Sequence, residues 1–134
     1  MALPAGLVTA LSALGSLDDN ENRHVEAVAH LQEALQIEKV MRRPHHTWSI
    51  LQKLGGPILA LGAHGLAVRL FAGAVRLREE IGEEQHPIDC DWANARLREA
   101  SAKLGNAAFD REWHEGRAMT LDELVESALA FTLP

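Results

Sequence analysis

Laid over itself with a shift of 40 residues, the chain matches Leu11 to Leu51, Leu14 to Leu54, Gly15 to Gly55, Ala27 to Ala67, Leu31 to Phe71 and Ala34 to Ala74. Self-similarity at one fixed period is the mark of a supersecondary unit that is copied and stacked, because a single copy cannot bury its own apolar face. Each copy begins with a leucine and a Leu-Gly pair, passes a turn, and continues with Ala, a large apolar residue and Ala at i, i+4 and i+7. That spacing is one face of a helix. The unit is therefore a pair of helices, and the expected fold class is all-α.

The most heavily patterned stretch is His64 to Gly82, with Leu66, Leu70, Phe71, Ala74, Leu77 and Ile81 on one face and Arg69, Arg76, Arg78, Glu79 and Glu80 on the other. Ala67, Gly73 and Ala74 add a seam with almost no side-chain bulk, where a second helix backbone can come close. Ahead of it, Leu7, Leu11 and Leu14 predict a short opening helix closing near Gly15 or Leu17. His24 to Met41 predicts a second, with Val25, Val28, Leu31 and Leu35 inward and Glu33 and Glu38 facing water. Thr47 to Leu61 reads as a third helix with Trp48, Leu51 and Leu54 inward, and Gly55-Gly56-Pro57 is expected to kink or break it. Beyond Gly82 the pattern changes. Cys90, Ala93, Leu97, Ala100 and Leu104 make one stripe, Phe109 and Trp113 lie one turn apart before a turn at Gly116, and Leu121 to about Phe131 forms the last helix. Thr120 with Glu123 is a capping box there, and Met119 with Leu124 a hydrophobic staple.

The order of small and large positions in the two copies resembles the tetratricopeptide repeat, with departures. The period is longer than that family's roughly 34 residues, Asp18 and Ile58 stand where its first helix carries Tyr, and Lys39 and Glu79 stand where it closes with Pro. The segments AVRLFAGAVRLREEIG and LGNAAFDREWHEGRAMTLDELVESAL further resemble the C-terminal end of bacterial multidomain transcriptional regulators and predicted ATPases of the LuxR- and AfsR-like kind. The resemblance implies a single helical-repeat domain over 1–134: repeat units at 1–43 and 44–82, both degenerate, then a helical C-terminal cap at 87–134. In those regulators this end carries neither the ATPase nor the DNA-binding element. The tetratricopeptide register also implies a concave groove lined by the first helix of each pair. The groove residues are then Thr9, Ser12, Ser16, Asp19 and Asn20 from one unit, and Ser49, Gln52, Gly56, Leu59 and Ala60 from the other. This set holds no Lys or Arg, which disfavours a reader of peptide C-terminal carboxylates.

A net charge of −6 leaves no basic stripe to neutralise phosphates, so direct nucleic-acid binding is not expected. Cys90 is the one cysteine, which fits a reducing cytoplasm. The apolar opening lacks a basic leader and is interrupted by Pro4, Gly6 and Gly15, so neither a signal peptide nor a membrane span is expected. No phosphate loop, paired carboxylates or nucleophile beside a base is present. His45 and His46 point about 100° apart on a helix, and no metal or other cofactor is expected. Cys90 reads as a buried structural thiol, and Trp92, Phe109 and Trp113 as a packed cap. The function expected is non-catalytic protein interaction, with a protein partner or a second copy bound at an apolar edge formed by Leu3, Leu7 and Leu11. The rival is a small-molecule sensor with an apolar pocket between the helix pairs near Trp48, His64 and Trp113.

Overall fold

A computed structural model describes residues 3–132, with the side chain of Leu3 outside the description. Within those residues the chain is helical and without strands: α1 Leu3–Asn20, α2 His24–Met41, α3 Pro44–Ala60, α4 His64–Ile81, α5 Pro87–Leu104, α6 Asn106–Ala118 and α7 Leu121–Ala130. No helix among them is long and apolar enough to cross a membrane.

The 40-residue period holds in three dimensions. Helices α2 and α4 start at residues 24 and 64 and end at 41 and 81. Asn22 and Gly62, in the turns that precede them, both have positive φ (62° and 99°). The residues after them, Arg42 and Gly82, are both left-handed caps at φ 54° and 72°. Packing repeats as well. A Cβ on Gly15 would stand 2.5 Å from Leu31 Cγ, and a Cβ on Gly55 2.5 Å from Phe71 Cε2. Each glycine is the socket for the large residue of its partner helix, which is why the Leu-Gly pair and the large apolar position recur together.

Helix α4 is the centre of the packing, in contact with α3, α5, α6 and α7. Ala67, Val68, Leu70, Phe71, Ala72, Gly73, Ala74 and Leu77 are all buried. The small-residue seam is used as expected: Leu124 of α7 fills the space over Gly73. Helix α6 comes so close that Gly116 lies against the Arg69 backbone, where any side chain would force the helices apart. Gly116 is therefore a contact point inside α6, not the turn expected from the sequence. The turn comes at Met119, and α7 opens with the Thr120–Glu123 capping box in both directions, at 3.1 and 2.9 Å.

Other expectations change. Helix α1 runs on to Asn20, because Gly15 is a packing socket and not a terminator. Its inward face is Val8, Leu11, Ser12, Gly15 and Asp18, while Leu7 and Leu14 are 45% and 44% exposed. Helix α3 is continuous through Gly55-Gly56-Pro57. Pro57 falls in the last turn, where it forgoes only one hydrogen bond, to the Lys53 carbonyl, and the helix is held by its buried face. On α2, Val25 is exposed and Glu38 is buried rather than solvated. Glu38 Oε1 accepts from Arg43 Nε at 2.9 Å and also from Arg43 Nη2, so a charge-assisted pair ties the end of α2 to the start of α3.

Candidate functional site

A cavity of about 300 Å³ opens where the C-terminal half of α1, the first half of α3 and the start of α5 meet. Five of the groove residues expected from sequence line it: Ser16, Asp19, Asn20, Ser49 and Gln52. The others go elsewhere. Thr9 is exposed, its Oγ1 donating to the Ala5 carbonyl at 3.2 Å. Ser12 and Leu59 are buried. Gly56 and Ala60 border an adjacent polar depression shared with Asp19, Asn20, Arg96 and Glu99.

What the sequence did not reveal is the roof. Helix α5 packs on α3, and Trp92 settles directly over Gly56, where a Cβ would meet its ring at 2.6 Å. Trp92 also lies against Phe71, with ring centroids 5.8 Å apart, and beneath the Arg96 guanidinium at 5.4 Å. The groove is thus partly filled from within the chain, and what remains open is a pocket. Its further lining is Trp48, Lys53, Gln85, Ile88 and Asp89.

No family model, curated protein or solved structure matches the chain. The site has to be judged on its own chemistry.

Trp48 is nearly buried, with its indole N–H donated to Glu83 and the Arg78 guanidinium 5.9 Å from its ring. Asp19 is engaged, its Oδ1 2.8 Å from His24 Nδ1. Asp89 is exposed in the first turn of α5, where the helix N-terminus favours a carboxylate. Lys53 is different. It is mostly withdrawn from water, which lowers its affinity for a proton, with Asp89 partly offsetting that. Among the described residues it has no ion pair or hydrogen bond, whereas Lys39 is paired with Glu126. Gln85, also on the lining, receives the Cys90 thiol on Oε1 at 3.4 Å, and its Nε2 is buried without an acceptor.

Of the rival pocket expected near Trp48, His64 and Trp113, only Trp48 lines this cavity. His64 opens α4, and Trp113 lies on α6 stacked with Phe109 at 6.1 Å. Cys90 is half-buried. His45 and His46 are adjacent rings 4.4 Å apart, and among the described residues no group of three or more His, Cys, Asp or Glu is placed to hold a metal.

The expected edge is redistributed. Leu11 is buried at 6%, and Leu3's side chain lies outside the described residues. Leu7, Leu14 and Leu17 are exposed, and with Ala10 between them they recur at alternating steps of three and four. From Leu3 to Leu17 the helix carries no charged residue. Inward of this stripe the end of α1 is polar: buried Asp18 receives Arg23 through Nε and Nη2 at 3.2 and 3.0 Å and lies 2.6 Å from His30 Nδ1.

Proposed function

We propose that the chain is a non-catalytic protein-interaction module built from tetratricopeptide-like hairpins, of the kind found at the C-terminal end of bacterial transcriptional and signalling regulators. Its binding edge is the outer face of α1, and its partner is a protein or a second copy. One observation carries this reading. Leu7, Leu14 and Leu17 are exposed, while the residues 40 positions later, Thr47, Leu54 and Pro57, are all buried. Helix α3 has the preceding pair, α1 and α2, packed on it. The outer face of α1 is therefore the surface that another helix pair would cover in the same arrangement. Its spacing of three and four residues is that of a helix–helix seam, and the absence of charge lets a chain of net charge −6 be approached there without repulsion.

The test is sedimentation of the purified protein over a wide concentration range, alongside the Leu7→Glu/Leu14→Glu double variant. The expected result is concentration-dependent association, or capture of a protein partner, that the variant loses while its circular dichroism is unchanged. Association or capture that survives both charges would overturn the assignment of this face.

A further inference from the structure

We propose that the cavity between α1, α3 and α5 binds a small organic carboxylate, its anionic group against Lys53 and its apolar body against Trp48 and Trp92. This goes beyond the interaction edge on α1 and does not depend on it.

Of the carboxylates on the cavity wall, Asp19 is held through one oxygen by His24 and Asp89 is exposed at the helix start. The Lys53 ammonium, the one cation on the lining, has no ion pair or hydrogen bond among the described residues. A partly desolvated cation without a partner calls for an acceptor that carries charge. A single lysine can offset one negative charge, and the second charge of phosphate would face Asp19 and Asp89 without compensation. Trp48, Trp92 and Ile88 supply the apolar wall, and Asn20, Gln52, Ser16 and Ser49 the neutral polar groups that orient a ligand. With Trp92 of α5 seated over Gly56, a volume near 300 Å³ is of the size that holds a small molecule.

The protein has three tryptophans, so the Trp113→Phe variant reports from Trp48 and Trp92 alone. It is titrated with acetate, hexanoate, 3-phenylpropionate, 3-phenylpropionamide, inorganic phosphate and a pentapeptide ending in a free phenylalanine carboxylate. The expected result is saturable fluorescence change with hexanoate or 3-phenylpropionate, with the amide weaker by roughly 10-fold or more, the value of one charge-assisted hydrogen bond. Lys53→Met should remove the preference for acid over amide, and Lys53→Arg should retain it, with both variants checked for folding by circular dichroism. The proposal is overturned if neither apolar acid saturates in the millimolar range, if acid and amide bind alike, if phosphate competes as well as the apolar acids, or if the peptide outbinds the free acids.

Discussion

The two hairpins share their turn, cap and socket positions and differ in surroundings. Turns, caps and the Gly15–Leu31 and Gly55–Phe71 sockets coincide at a shift of 40 residues. The second hairpin is enclosed, with α1 and α2 on one side and α5, α6 and α7 on the other, while α1 packs mainly on α2 and α3. Charge follows that difference. The first hairpin buries Asp18 and Glu38 within ion pairs. At the matching positions the second has Ile58, fully buried, and Arg78, which reaches Trp48. The lesson is that hairpin geometry is set by a few small and large residues, while the rest of each face is free to be solvent, interface or pocket.

The widest separation between the copies is expected at Leu14 and Leu54. Leu54 is fully buried, so Leu54→Ala should cost about 3 kcal/mol through lost burial and the cavity left behind. Leu14→Ala should change the monomer by less than about 0.5 kcal/mol. Urea unfolding at low protein concentration measures both. A cost for Leu14→Ala close to that of Leu54→Ala would mean that the outer face of α1 is already covered.

The next pair compares Arg43 with Glu83, again 40 residues apart. Arg43→Ala strands Glu38, whose side chain has no exposed area, and should cost about 3 kcal/mol, because an unpaired buried charge is worse than no charge. Glu83→Ala removes one acceptor from the Trp48 indole and should cost about 1 kcal/mol. Equal costs would show that the Trp48 contact is as structural as the Glu38 pair, and would weaken the case for a ligand pocket beside it.

Much of this was legible in the sequence. The repeat, the packed-on character of α4 and the capping box at Thr120 all rest on local spacing, which periodicity reports directly. The inward face of α1 was not legible, because Leu3 to Leu17 has no charged residue to mark the wet side and two leucine stripes compete at nearly the same period. Glu38 was misplaced because its partner Arg43 lies beyond the helix end, at a spacing no helical pattern displays. The cavity was half visible. Ser16, Asp19, Asn20, Ser49 and Gln52 follow from the repeat register, but Trp92 and Lys53 acquire their meaning only when α5 folds across α3, a contact for which no local signal exists.

Acid should separate the copies in another way. Burial pushes the Asp18 carboxyl up, but hydrogen bonds from His30 and Arg23, with their charges, outweigh it and hold it below its ordinary 3.8. A lowered folded pKa means that the carboxylate's contribution is fully present above the unfolded value and is lost as pH falls through the folded one. Asp18→Asn should therefore flatten the fall in stability below about pH 4, while Ile58→Val, at the matching position, should leave its slope unchanged. Urea midpoints from pH 7 down to pH 2 would show an unchanged slope in Asp18→Asn if the network were unimportant.

The smallest expected effect bears most directly on the pocket. Burial depresses the Lys53 pKa below 10.5, so the folded state holds this proton less tightly than the unfolded chain does. Stability from this site is gained only as pH rises toward 10.5 and is missing at neutral pH. Lys53→Met should then raise the melting temperature by roughly 1–3 °C, equivalent to about 0.5 kcal/mol after discounting for partial exposure. The gain should shrink as the pH is raised. At Ala13, the exposed counterpart in the first hairpin, introducing lysine should change nothing measurable. A gain in stability at Lys53→Met together with lost acid binding is what a residue kept for a ligand predicts. A loss of stability would instead make Lys53 part of the scaffold, its aliphatic stem packing against the cavity wall and its charge incidental.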